Sequence, residues 1–133
     1  MSKCLMIVDD SPVMRSFVKR TLLAAGLSVK TCLEAANGRD ALDKLRAFAS
    51  TGRIDLILTD INMPELDGEG LLKELKRDQA LASIPVVVVS TDSTDQRVGD
   101  LMKLGAHDYV RKPFPPERLS AVLSGIFPGW AGQ

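Results

Sequence analysis

Five short apolar runs, separated by segments of helical periodicity, constrain this chain more than any other feature. The runs are Cys4–Val8, Val29–Leu33, Asp55–Thr59, Pro85–Val89 and Tyr109–Val110. Three of them carry aliphatic or β-branched residues at consecutive positions, the pattern of strands buried on both faces of a parallel sheet. Met14, Phe17, Val18, Leu22 and Ala25 then follow helical spacing and make a core-facing stripe. Further stripes are Ala41, Leu42, Leu45, Phe48 and Ala49, then Leu71, Leu72 and Leu75, then Val98, Leu101 and Met102, and finally Leu119, Val122, Leu123 and Ile126. Local punctuation agrees. Ser11-Pro12 offers an N-cap and a proline at the first helical position, and Gly26 closes that helix. Asp67-Gly68 opens the third helix and Gly105 ends the fourth. Parallel strands require crossovers, and crossovers are right-handed. The pattern therefore predicts an α/β fold: a (βα)5 doubly wound parallel five-stranded sheet with helices on both faces.

Composition excludes several classes. A chain of 133 residues is sized for one domain. Lys plus Arg number 17 and Asp plus Glu number 17, so the formal net charge is zero and no basic excess points to nucleic acid or a membrane surface. No segment approaches the roughly 18 apolar residues of a bilayer span. Cys4–Val8 is too short for a signal-peptide core and runs straight into two aspartates. Cys4 and Cys32 lie in apolar stretches without a CxxC or a Cys/His cluster, which predicts two reduced core thiols rather than a zinc site or a disulfide. The expectation is a cytoplasmic protein without membrane insertion.

Ligands of open α/β sheets bind beyond the carboxyl ends of the strands. The first strand ends in Asp9-Asp10, the third in Asp60 and the fourth in Ser90-Thr91, while the fifth runs into Lys112-Pro113. An aspartate after a strand is commonly a turn or cap residue, and each of these groups taken alone has such an explanation. Together they make one rim, provided that the first and third strands are neighbours. Three clustered carboxylates repel, and a hard divalent cation relieves the repulsion. Few carboxylates, a backbone carbonyl and waters suit Mg²⁺. One carboxylate can then attack a phosphoryl group, with Lys112 and the Ser90 hydroxyl serving its oxygens.

Val8-Asp9-Asp10-Ser11, Leu58-Thr59-Asp60-Ile61-Asn62-Met63-Pro64 with Asp67-Gly68, Val89-Ser90-Thr91, and Gly105-Ala106 followed by Lys112-Pro113-Phe114 resemble the response-regulator receiver family. The resemblance spans nearly the whole chain and is greatest to the single-domain, CheY-like members. It implies the flavodoxin-like strand order 2-1-3-4-5, a receiver domain over 1–127, and a short tail over 128–133 with no output domain. It further implies that Asp60 accepts phosphate from a sensor histidine kinase or phosphotransfer protein. Asp9, Asp10, Asp60 and the Asn62 backbone carbonyl would hold Mg²⁺, Asp9 through a water. Lys112 would pair with the phosphoryl oxygens, preceding a cis peptide to Pro113. Ser90 and Tyr109 would form the switch, Ser90 moving inward as the Tyr109 ring turns from exposed to buried. That change would remodel the face of the fourth helix, fifth strand and fifth helix, where a downstream protein docks for a chemotaxis-type or phosphorelay output. Asn62, Thr91 and Asp92 would tune the phosphoryl lifetime. Thr91 stands where the family commonly has a smaller residue.

Two other readings fit less well. A haloacid-dehalogenase-type enzyme shares the strand-end nucleophile, Mg²⁺, hydroxyl and lysine, but it wants an acidic residue where Asn62 stands, and no insertion is present to cap a substrate. A phosphate-independent interaction module would have no need of the complete set Asp9, Asp10, Asp60, Ser90 and Lys112. The expected protein is therefore a phosphoacceptor switch rather than an enzyme, catalysing only its own phosphorylation and dephosphorylation, with a monomer as the default state. His107, the sole histidine, reads as a solvated loop residue, and Trp130 lies in the tail.

Overall fold

The computed structural model describes residues 2–91 and 94–129. Strands and helices alternate through the chain as β1 (Lys3–Val8), α1 (Pro12–Ala24), β2 (Val29–Ala35), α2 (Gly38–Phe48), β3 (Leu56–Thr59), α3 (Gly68–Arg77), β4 (Val86–Ser90), α4 (Asp95–Lys103), β5 (Asp108–Arg111) and α5 (Pro116–Ile126). Every strand pair is parallel and the spatial order is β2-β1-β3-β4-β5. Both the predicted (βα)5 architecture and the order implied by the resemblance are present.

The consecutive apolar residues of the strands divide between two cores. From β1, Leu5 and Ile7 face one side with Val18 and Leu22 of α1 and Leu119, Val122 and Leu123 of α5. Met6 and Val8 face the other with Leu42 and Leu45 of α2, Leu71, Leu72 and Leu75 of α3, and Leu101 of α4. Alternate side chains of a strand point to opposite faces, so a sheet covered on both sides needs apolar residues at every position. Full burial of such a side chain stabilises by roughly 1.5–3 kcal/mol.

Side-chain caps open four of the helices: Ser11 accepts from the Met14 N–H, Asn37 from Asp40, Asp67 from Gly70 and Thr94 from Arg97. Gly26 ends α1 at φ 78°, a conformation that an L side chain rarely takes. There the Gly26 N–H bonds the Leu23 carbonyl and the Leu27 N–H bonds the Leu22 carbonyl, so two of the helix's terminal carbonyls are met.

Three expectations need correction. Met102 is 42% exposed, whereas Leu101 is fully buried. The core stripe of α4 continues from Val98 and Leu101 to Leu104, and Met102 turns outward. Ala49 is exposed because α2 ends at Phe48 and the chain turns away there. Both cysteines are free, yet neither is a core residue: each is half-buried at the margin of a different apolar cluster. Cys32 sits on β2, the edge strand, where one side lacks a neighbour. Among the described residues no helix is long and apolar enough to cross a membrane.

Candidate metal and phosphoryl site

The sheet's own hydrogen bonds place the rim residues. Val8 is in register with Thr59. The next residue along, Asp60, donates its N–H to the Val8 carbonyl at 2.9 Å, while the Asp9 N–H reaches the Ala35 carbonyl at 3.0 Å. Ser90 pairs with Arg111, and the Lys112 N–H donates to the Ser90 carbonyl at 3.0 Å. Asp9, Asp60 and Lys112 thus all leave the sheet at its carboxyl edge. The chain runs outward to β2 on one side of β1 and to β3 on the other, so the edge between β1 and β3 is the topological switch point.

One carboxylate oxygen from each of Asp9, Asp10 and Asp60 lies within 4.8 Å of the others. Lys112 Nζ sits 2.8 Å from Asp9 Oδ2 and 3.5 Å from Asp60 Oδ2. The side chains of Asp9 and Lys112 are only 5% and 8% exposed. The other oxygens of Asp9 and Asp60 are oriented by the backbone: Asp9 Oδ1 accepts from the Ser11 N–H at 2.9 Å and Asp60 Oδ1 from the Ile61 N–H at 2.7 Å. Three acidic oxygens therefore face a shared point with a single buried ammonium among them. That leaves an excess of negative charge which a hard cation with oxygen ligands would satisfy, so the donor set fits a divalent ion of the magnesium class.

The turn after β3 is shaped by a close approach. The Gly68 N–H donates to the Ile61 carbonyl at 2.7 Å, and a Cβ on Gly68 would lie 2.3 Å from the Asp60 carbonyl oxygen. The first residue of α3 therefore rests against the backbone of Asp60. Sequence reading placed Gly68 only as a helix opener; nothing local announces what it packs against.

Ser90 is 1% exposed and Tyr109 9%, so both side chains are buried. Tyr109 packs in the same cluster as Leu101 and Ala106. A cleft of about 540 Å³ opens between α4, β5 and α5, lined among others by Val98, Met102, Tyr109, Arg111, Phe114 and Arg118. Asn62 and Thr91 are exposed beside the site, and Thr91 joins Met14, Phe17, Lys112 and Pro113 along an apolar cleft. Phe17 meets Phe114 edge to face at 5.6 Å. The Lys112–Pro113 peptide is cis. His107 is exposed between α4 and β5. Asp92 and Trp130 lie outside the described residues.

Sequence reading also missed a charged cluster behind the acidic pair. Arg15 Nε donates to Glu34 Oε1 at 2.9 Å, Lys19 Nζ to Glu34 Oε2 at 3.1 Å, and Arg15 Nη1 to the Asp9 carbonyl at 2.6 Å. The helical spacing of Arg15 and Lys19 was visible, but the strand that carries Glu34 beside them was not. The hydrogen bond from Lys19, then that from Arg15, holds the Glu34 carboxyl below its ordinary value, and the same pairing raises Lys19.

A parallel doubly wound sheet with an acidic pocket and a lysine at its switch point defines a phosphoryl-handling α/β domain. The chain belongs to the response regulator receiver domain family, whose pattern matches residues 5–124. It is 37% identical to chemotaxis protein CheY1 of Helicobacter pylori over 122 residues, 92% of this chain and 94% of that one. The phosphorylated cyanobacterial phytochrome response regulator RcpA superposes with a TM-score of 0.79 at 28% identity, covering 98% of this chain and 94% of that one. The Mn²⁺-bound form of response regulator Rcp1 gives 0.77 at 27% identity, covering 98% and 96%. This protein is a CheY-like receiver domain, a phosphoacceptor of two-component signalling.

Proposed function

We propose that Asp60 is the phosphoacceptor and that Asp9, Asp10, Asp60 and the Asn62 backbone carbonyl hold Mg²⁺ beside it. The observation that carries this reading is the convergence of the three carboxylates and Lys112 on one edge of the sheet. When bound, the cation neutralises the acidic cluster and draws charge from the phosphoryl oxygens. Asp60 is oriented for attack by the Ile61 N–H on one oxygen, leaving the other toward Lys112. Its carboxylate oxygen bonds to phosphorus as the bond from a phosphohistidine nitrogen breaks; the electron pair leaves with the imidazole, which takes up a proton. Lys112 exchanges its contact with Asp60 for one with the phosphoryl oxygens, and the Ser90 hydroxyl supplies a further donor.

Ser90 and Tyr109 form the switch in this reading, and the cleft between α4, β5 and α5 receives the downstream protein, with a chemotaxis-type output favoured by the likeness to CheY1. The domain hydrolyses its own acyl phosphate, tuned by Asn62 and Thr91, with Asp92 in the same role. It acts in the cytoplasm as a receiver over 1–127 followed by a tail over 128–133, and is a monomer.

Labelling with acetyl phosphate tests the assignment. The parent should take up one base-labile phosphoryl group in Mg²⁺ and none after chelation, and Asp60→Asn should take up none. Equal labelling of Asp60→Asn would assign the acceptor elsewhere.

A further inference from the structure

Asp10 is exposed, and among the described residues its carboxylate makes no hydrogen bond or ion pair that would aim it. Its direction is inherited from the backbone. Asp9, just before it, is held at four points, one of them Oδ2, which takes Lys112 Nζ at 2.8 Å. Its N–H bonds the Ala35 carbonyl at 3.0 Å, its Oδ1 receives the Ser11 N–H at 2.9 Å, and its carbonyl receives Arg15 Nη1 at 2.6 Å. The last bond differs from the others, because that carbonyl belongs to the Asp9–Asp10 peptide. Whatever fixes it fixes the plane from which Asp10 projects.

The guanidinium is fixed in turn. Its Nε donates to Glu34 Oε1 at 2.9 Å, and the other Glu34 oxygen is taken by Lys19 Nζ at 3.1 Å. Glu34 stands on edge strand β2 in register with Ile7 of β1, two residues before Asp9. The Arg15 side chain is 17% exposed. A planar fork can serve a carboxylate and a carbonyl at a set angle; an ammonium is a point charge that rotates freely.

We propose that Arg15 is a positioning residue for the cation site: it aims Asp10 through the Asp9 carbonyl, with Glu34 and Lys19 holding the guanidinium. This rests on the reading of Asp9 and Asp10 as Mg²⁺ ligands. Groups that orient metal ligands commonly change affinity by roughly 10–100-fold when removed. Simple electrostatics gives the opposite sign, since deleting a cation near a cation site should tighten Mg²⁺ binding. The two effects are separable by direction.

Calorimetric titration of Mg²⁺ into the parent, Arg15→Ala, Arg15→Lys, Glu34→Gln and Asp10→Asn decides the matter. Arg15→Ala should raise the Mg²⁺ Kd by about tenfold, the lower end of that range. Arg15→Lys and Glu34→Gln should each weaken binding by a smaller factor, and these carry the test if Arg15→Ala does not fold. Asp10→Asn should lose binding altogether. Binding as tight as the parent's, or tighter, in Arg15→Ala, or in both milder variants where it does not fold, overturns the inference if Asp10→Asn still loses the ion. Unchanged binding in Asp10→Asn overturns the ligand reading, and the role of Arg15 with it.

Discussion

Replacing Gly68 by alanine puts a methyl group where the structure leaves no room. The added Cβ would lie 2.3 Å from the Asp60 carbonyl oxygen and 2.9 Å from Ile61 Cα. Both obstacles are backbone, so no flexible side-chain end can swing aside. A carbon–oxygen contact normally settles near ~3.3 Å, so about 1 Å of movement must be found between α3 and the end of β3. Forced accommodation of this kind costs about 1–3 kcal/mol. Alanine returns at most ~1 kcal/mol of helix propensity, and less at a first helical position. The net loss is about 1–2 kcal/mol, a fall of roughly 4–8 °C in Tm for a domain of this size. Because the displaced atoms belong to Asp60, the acetyl phosphate labelling rate should fall further than stability does, by about tenfold or more. Gly99 is the control: it lies in α4 with nothing within 4 Å of an added Cβ, so Gly99→Ala should gain about 0.5–1 kcal/mol. Urea unfolding at constant m together with labelling under excess Mg²⁺ measures both quantities. A Gly68→Ala protein with the parent's stability and labelling rate would refute the reasoning.

Three further perturbations test the surroundings of the site. Lys112→Met leaves Asp9, 5% exposed, without its ion-pair partner, and should cost about 3 kcal/mol in metal-free buffer while abolishing labelling; chemical denaturation at both Mg²⁺ levels checks it, and undiminished labelling would remove Lys112 from the mechanism. Glu34 is held below its ordinary 4.5 by Lys19 and Arg15, so its stabilisation is complete above that pH and is lost as pH falls through the folded value. Glu34→Gln should flatten this part of the acid limb by less than ~1 kcal/mol, because the pair is a third exposed, and acid titration of Tm would show it. Thr91→Ala widens the apolar cleft beside Lys112 and should speed both phosphorylation and loss of phosphate; unchanged rates would deny Thr91 any gating role.

The sheet was legible because its physics is local. A strand buried on both faces must be apolar at every position, and Val86–Val89 announces this without reference to any partner. Helix ends were legible for the same reason, since Ser11 and Asp67 cap through atoms three residues away. Strand order is a different kind of fact. Nothing in Cys4–Val8 says that β2 lies on one side and β3 on the other, so the meeting of Asp9 with Asp60 depended on likeness to a family. What escaped altogether follows from that order. The Arg15–Glu34 pair crosses from α1 to β2, and Gly68 matters because of the atoms of Asp60. Met102 was misplaced because two successive helical residues both looked apolar and only one could face the core.

Burial also sets an energy scale for the proposed switch of Ser90 and Tyr109. Tyr109 is 9% exposed and packed with Leu101 and Ala106 in the larger core cluster. Turning an aromatic ring of this kind out to solvent forfeits roughly 1.5–3 kcal/mol of apolar burial. A phosphoryl group can hold the inward state only by what it interacts with differently in the two states, such as the Ser90 hydroxyl. Moving a population from 1:99 to 99:1 takes about 5.5 kcal/mol of such difference. One hydrogen bond to a charged group supplies about 1.5–3 kcal/mol, so Ser90 alone falls short of a complete switch. The shortfall closes where the buried Tyr109 ring is already a low-lying state, which phosphorylation then needs only to deepen. Fluorine NMR of fluorotyrosine at position 109 should accordingly show an inward population before beryllofluoride is added; a ring wholly outward until then would break this argument.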